Sequence, residues 1–207
     1  MKYIQVDNNI SSKKKEKKLA KENNLYNAGY DLFLTKGLQK TAIDDIVKKA
    51  GVAKGTFYLY FKDKYDLLHK IIINKSCEIL KDALKASETL STDDFIEMVI
   101  FIANYIIEYF KNNVLLLKII NKNISWGLFK RAIETQEERE EVKIAIDSFI
   151  DYAKKYNQNV EEIEKTIYII VELIGSVSYN SIIYEEPDNI DNMKPILFTC
   201  IKKILTQ

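Results

Sequence analysis

The chain has 207 residues, with 31 Lys and Arg against 30 Asp and Glu, one histidine, two cysteines, six glycines and two prolines. That length holds one small domain of about 65 residues joined to a larger one of about 140, each able to bury a core. Scarce glycine and proline, no strand-like alternation and long apolar runs at three-and-four spacing exclude a β-rich architecture and predict an all-α fold.

Catalysis is poorly served. The single His69 confines any His-dependent nucleophile to one helix, and no glycine-rich phosphate loop is present. Asp66 and His69 have a spacing loosely like that of di-iron bundles, which need a second histidine on another helix. Cys77 and Cys200 lack metal-ligand spacing and are expected to be reduced core thiols. No catalytic residue, metal or cofactor is therefore expected. The apolar stretch 96–107 is broken by Glu97 and Asn104 and is too short for a bilayer, and no leader-like stretch opens the chain. A cytoplasmic protein with no membrane partner is expected.

The net charge of +1 hides an asymmetry. Residues 1–64 hold 14 lysines and 7 acids, a net +7, so the remainder carries −6. A basic end is what a polyanionic partner selects. Residues 1–15, leading into the lysine run at 13–18, read as a flexible basic N-terminus. A solvated face is an equally good account of that run, although some of its lysines can meet phosphate.

In chain order, Leu25, Ala28, Leu32 and Phe33 line one face of a first helix that ends at Gly37, a position suited to positive φ. Thr41 with Asp44 reads as a capping box for a short second helix carrying Ile43, Ile46, Val47 and Ala50 on one side. Gly51 supplies a sharp turn and Val52 a plug for the corner. A third helix opens at Lys54, with Phe57 and Phe61 turned inward. Its outer side carries Lys54, Thr56, Tyr58, Leu59 and Tyr60, with Gly55 allowing close approach of backbone to phosphate. This is a helix-turn-helix, expected over 16–62, that lays one helix in the major groove of double-stranded DNA.

Residues 25–68 resemble the DNA-binding domain of the tetracycline-repressor (TetR) family. The likeness is carried by Leu25-Tyr26, Ala28, Leu32-Phe33 and Gly37, then by Thr41, Ile43, Ile46, Ala50-Gly51-Val52, Gly55, Phe57-Tyr58, Tyr60-Phe61, Lys64 and Leu67. The chain departs from the family at Ala53, where a serine cap is usual, and at Ala42 and Val47. The resemblance implies a repressor of operator DNA, contacted through Thr41, Lys54, Gly55, Thr56, Tyr58, Leu59, Tyr60 and Lys64. Among these, Thr56, Tyr58 and Lys64 would position on phosphate, and Lys54, Leu59 and Tyr60 would reach base edges. It also implies a homodimer formed by the last two helices and an effector cavity in the C-terminal body.

Residues 63–207 read as that body, bringing the total to about nine helices. Asp63 caps a fourth helix running to about 86, and Ser91 or Thr92 a fifth to about 111. A sixth covers 114–122, a seventh 126–156, an eighth 160–185 and a ninth 191–205, with Pro187 in a connection and Pro195 in a first helical turn. The eighth is apolar nearly all round, so a second subunit is expected against Ile170, Ile174, Val177 and Ser178, with Phe198 and Ile201 from the ninth. Phe101, Tyr105, Trp126, Phe129, Tyr168, Glu172 and Tyr179 are candidate lining for a small apolar or aromatic effector, with core packing the competing account of each aromatic. Glu172, within so apolar a helix, calls for a partner or a ligand cation. The alternative function is a helical dimeric interaction scaffold without specific DNA binding.

Overall fold

The structure is a computed structural model that describes residues 4–92, 94–123, 147, 151, 154 and 160–206, and over these it is all-helical. It divides into two compact units, Met1–Ile71 and Ile72–Gln207. The division falls within a helix, after Ile71, and not before Asp63 as expected. The side chains of Leu67, Leu68 and Ile71 belong to the first unit and are almost fully buried.

The first unit is built from α1 (Ile4–Thr35), α2 (Ile43–Ala50), α3 (Lys54–Phe57) and the start of α4 (Lys64–Ser87). Helix α1 begins at Ile4, so the stretch expected to be a flexible basic terminus continues the helix instead. Lysine is a good helix former, and the twelve residues 4–15 of backbone need no apolar face when the same helix is anchored further along. The anchor is the stripe Leu25, Ala28, Leu32 and Phe33, all buried as their spacing demands. Gly37 and Gly51 have φ of +78° and +67°, the left-handed conformation read from sequence at both helix ends.

Helix α2 starts one residue later than a Thr41 cap requires. Its N-cap is Ala42, which has no acceptor side chain, while the Asp45 carboxylate accepts from the Ala42 N–H at 3.3 Å. Only half of a capping box exists, and it uses Asp45 instead of Asp44. Ion pairs then tie α2 to its surroundings: Lys49 to Asp31 at 3.1 Å and Lys36 to Asp45 at 3.5 Å. Asp63 caps α4 as expected, its Oδ1 accepting from the N–H groups of Tyr65 and Asp66 at 2.8 and 2.9 Å.

The second unit contains the rest of α4 together with α5 (Phe95–Asn112), α6 (Val114–Asn123), α7 (Val160–Ile183) and α8 (Ile190–Leu205). The helix expected over 126–156 lies outside the described residues. Asp94, and not Ser91 or Thr92, caps α5, accepting from Ile96 N–H at 2.8 Å; Thr92 Oγ1 instead accepts from the Asp94 N–H. Asn189 caps α8 at the N–H groups of Asp191 and Asn192. This early start leaves Pro195 inside the helix, not in its first turn. Pro195 is exposed, so water can satisfy the carbonyl its ring leaves unpaired. Cys77 is buried, but Cys200 is exposed on α8 and is not a core thiol.

Helices α5, α7 and α8 share a core of Ala103, Ile107, Ile170, Ile174, Ile190, Leu197, Ile201 and Leu205. A ring of four charges closes the α5–α8 side: Lys111 to both oxygens of Asp191 at 2.8 and 3.0 Å, Lys194 to Asp191 at 3.2 Å, Lys111 to Glu108 at 3.4 Å, and Lys194 to Glu108. The Lys194 hydrogen bond holds Glu108 below the ordinary carboxylate range, and the Lys111 bond does the same for Asp191. A depressed folded-state pKa gives stability that is present above the unfolded carboxylate range and is lost as pH falls through the folded value. Both carboxylates are well solvated, so this ring contributes orientation more than stability.

Within α7, residues Lys165–Ile183 are long and apolar enough to cross a membrane by length and composition. Ile170 and Ile174 nevertheless pack against α5 and α8, while Glu172, Ser176 and Asn180 face outward. Core burial of one side accounts for part of its apolar character.

Gly29 is the position in α1 that sequence reading passed over. A Cβ there would lie 2.5 Å from Leu67 Cδ2 and 3.2 Å from its Cγ, and Leu67 is fully enclosed. Gly29→Ala gains helix propensity of about 1 kcal/mol but forces overpacking of about 1–3 kcal/mol. The expected outcome of chemical denaturation is a net loss of stability, and a stabilised variant would mean that Leu67 has room to move.

Candidate nucleic-acid interface

Helix α3 is one turn long, and its continuation through Tyr58–Tyr60 is a tight turn in which Tyr60 and Phe61 both donate to the Phe57 carbonyl at 3.0 Å. Ala53 is its N-cap and contributes no side-chain bond. So short and poorly capped a helix has little stability of its own. Its placement comes from Phe57 and Phe61, which are 0% and 3% exposed and lie 5.6 Å apart, ring centre to ring centre. Lys70 sits 5.8 Å from the Phe61 ring centre and pairs with Glu22, which links α4 to α1 behind them.

With its inner side pinned, the segment presents Lys54, Gly55, Tyr58 and Leu59 outward. Leu59 is 77% exposed and Tyr58 53%, unusual for side chains of this size with no solvent-side partner. Gly55 has nothing within 4 Å of where a Cβ would stand, so no internal packing requires a glycine there. Open space beside a bare backbone suits an approaching phosphate or base. Thr56 is half-buried at the edge of this surface.

Lys54 is not free. Its ammonium meets Asp44 Oδ1 at 2.8 Å and Oδ2 at 3.1 Å, bridging the start of α2 to the start of α3. The hydrogen bond to Asp44, reinforced by its charge, raises the Lys54 pKa above the ordinary lysine range. Tyr60 is half-buried and donates its hydroxyl proton to the Lys18 carbonyl at 3.0 Å, which docks α3 against α1.

Two expected contacts have a different place. Thr41 is 1% exposed, and its hydroxyl donates to the Gly37 carbonyl at 2.8 Å with the Leu32 carbonyl 3.3 Å away. It closes the end of α1, and a buried hydroxyl already in use has nothing to offer a phosphate. Lys64 reaches back to the α1–α2 turn, donating to the carbonyls of Leu38 at 2.8 Å, Thr41 at 3.0 Å and Gln39 at 3.4 Å. Sequence pattern could not place Lys64, because its bonds span 23 to 26 residues, whereas the Thr41 bond to Gly37 spans only four. Lys40, Lys48 and Lys62 are exposed and have no ion pair among the described residues, and none had been singled out.

Residues 25–71 match the profile described as "Bacterial regulatory proteins, tetR family". Residues 25–71 are therefore a TetR-family DNA-binding domain. It is 29% identical over 185 residues to the HTH-type transcriptional regulator YvdT of Bacillus subtilis, covering 86% of this chain and 91% of that one. Among solved structures, a putative tetR family transcription regulator from Shewanella sp. PV-4 shares the fold with a TM-score of 0.64 at 16% identity, over 87% of this chain and 95% of that one. FadR from B. subtilis, solved with stearoyl-CoA, shares it with a TM-score of 0.59 at 15% identity, over 87% and 97%. Residues 25–71, with α3 inside them, thus form the DNA-binding domain of a TetR-family transcriptional regulator.

The body is less convergent. Phe101 and Tyr105 are half-buried, one turn apart on α5. Trp126 and Phe129 lie outside the described residues. Tyr168 and Glu172 are exposed on α7, so Glu172 is solvated by water and needs no buried partner. Tyr179 is buried, its hydroxyl 3.5 Å from that of Tyr184 and the two rings edge to face. An open cleft of about 510 Å³ is lined by Ser176, Val177, Asn180, Ser181, Glu186, Pro187 and Met193. It lies open to solvent, unlike the enclosed walls of a buried effector site. Among the described residues no three His, Cys, Asp or Glu side chains come together as a metal-ligand set.

The TetR-family residues expected between copies are mostly inside one copy. Ile170, Ile174 and Ile201 are enclosed by the core of α5, α7 and α8, Val177 and Phe198 pack against that core, and Ser178 is 0% exposed. Turning these side chains out would strand more apolar surface than an interface could re-cover.

If Lys64 holds the α1–α2 turn, Lys64→Ala removes charge-assisted bonds to backbone carbonyls and should destabilise the DNA-binding unit by about 2 kcal/mol. Thermal unfolding without DNA checks this. An unchanged melting temperature with weakened binding would return Lys64 to a phosphate contact.

Proposed function

We propose that this regulator is a cytoplasmic, homodimeric repressor that occupies double-stranded operator DNA and leaves it when a small apolar effector binds the C-terminal unit. The observation that carries the DNA half is the exposed surface of Lys54, Gly55, Tyr58 and Leu59 held over a buried Phe57. Thr56, Tyr58 and the unpaired Lys40, Lys48 and Lys62 position the protein on phosphates, and Lys54 and Leu59 reach base edges. The basic first 64 residues against an acidic remainder support the same orientation of function.

The dimer is proposed through the outward faces of α7 and α8. Tyr168, Ile169 and Val171 on α7 and Ile196 on α8 are exposed by 41–60%. Apolar residues at that density on two adjacent helices suit an isologous contact. A dimer is also what DNA requires, since two α3 segments about 34 Å apart enter successive major grooves on one side of a duplex. Ile169→Asp should yield monomers by sedimentation, with operator affinity lost and helical content kept. A stable dimer carrying that substitution would move the interface elsewhere.

For the effector, the likeness to FadR solved with stearoyl-CoA supports a compound bearing an acyl chain, with acyl-CoA the first to test. Phe101 and Tyr105 are the described residues proposed to meet it. Helix α4 is continuous from Lys64 to Ser87 and is the covalent route from the body to the DNA-binding unit. An effector that changes the separation of the α3 segments must discriminate between two shapes of the dimer, and a hundredfold release from DNA needs about 2.7 kcal/mol of coupling. By reciprocity, operator DNA should weaken effector binding a hundredfold. The test is titration of stearoyl-CoA with and without the operator, itself obtained by selection from random-sequence duplexes. Equal affinity in both titrations would overturn ligand-controlled release, and failure of selection to enrich any sequence would overturn specific DNA binding.

A further inference from the structure

The ion pair between Lys54 and Asp44 has no packing role, since both side chains are more than half exposed. It lies on the reading surface itself, where an acid is costly beside a polyanion. Asp44 occupies the second position of α2, where the helix dipole favours a carboxylate, but Asp45 next to it meets that need and also binds the Ala42 N–H. Helix stability therefore does not account for Asp44 meeting Lys54 through both oxygens.

We propose that Asp44 is a specificity-determining residue, holding the Lys54 ammonium so that it serves a base-edge acceptor and not the phosphates of arbitrary DNA. This rests on the DNA-binding reading of α3. An ammonium has three N–H donors and no more. Asp44 takes up to two of them at 2.8 and 3.1 Å, which leaves one for an acceptor in the groove. As a unit the pair is neutral, so meeting a random duplex through it releases no counterion. Surrendering Lys54 to a phosphate would also leave the Asp44 carboxylate unpaired against the same backbone. A guanine O6 or N7 can be contacted without breaking the pair.

The experiment measures affinity for a mixed-sequence duplex and for a duplex selected by the unmodified protein, each across a salt series. Asp44→Asn should bind the mixed duplex more tightly, with the log–log salt slope steeper by about 0.9 for each protomer engaged, or about eightfold tighter at 0.1 M than at 1 M salt. Its preference for the selected duplex should shrink correspondingly, and Asp44→Glu, which keeps the charge, should restore both. In a Lys54→Met background, Asp44→Asn should leave the slope unchanged. The same steepening in that background would reduce Asp44 to simple repulsion and overturn the proposal. Weaker binding to both duplexes with a lower melting temperature would also overturn it, by showing a merely structural role. Absence of any selected duplex would count against specific recognition as such, while the mixed-duplex series would still decide the role of Asp44.

Discussion

The exposed face of α3 depends on Phe57. A single helical turn capped by alanine cannot hold a shape in water, because nucleating a helix fixes several dihedrals for one hydrogen bond. What the turn lacks in backbone cooperativity is supplied by one ring with no exposed surface, backed by Phe61. Burial of such a ring is worth about 1.5–3 kcal/mol, comparable to the missing cap and the short helix together. Every outward group from Lys54 to Leu59 inherits its direction from that ring.

The second constraint is closure of the turn that precedes it. Thr41 and Lys64, 23 residues apart, converge on the turn between α1 and α2, where they bond the carbonyls of Gly37, Leu38 and Thr41. Buried or half-buried carbonyls without partners are costly, so these bonds set the angle between α1 and α2. Gly29 then lets α4 come close enough for Leu67 to fill the remaining space. Tyr60 holds the far side through Lys18. Residues that a sequence pattern groups with DNA contacts are thus split by geometry into those that meet solvent and those that make meeting it possible.

This division explains what was legible in the sequence. Period and punctuation are local, and so the stripe of α1, both positive-φ glycines, the inward phenylalanines, the Asp63 cap and the extents of α6, α7 and α8 within a few residues could be read directly. The roles of Lys64, Asp44 and Gly29 rest on partners ten to forty residues away, which spacing does not encode. In the body, the apolar circumference of α7 was visible, but not which side its own chain covers. Ile170, Ile174 and Ile201 were assigned to a partner because hydrophobicity is non-directional, and the placement of α5 decides otherwise. Asp94 won the α5 cap over Ser91 and Thr92 because Thr92 is used one step earlier, on the Asp94 N–H itself.

Charge in this molecule works by pairing more than by total. The acidic and basic groups of the body close into a ring of Glu108, Lys111, Asp191 and Lys194, locking α5 to α8 while contributing nothing to net charge. In the DNA-binding unit the same device operates at Lys36, Lys49 and Lys54, each held by an aspartate. Lysines without an ion pair among the described residues, Lys40, Lys48 and Lys62 beside Lys17, Lys18 and Lys21, have a field that extends to a Debye length and draws a duplex in without regard to sequence. On the proposed reading of α3, attraction and discrimination fall to different lysines, and Lys54 differs from the attracting ones in having a carboxylate within 3.5 Å.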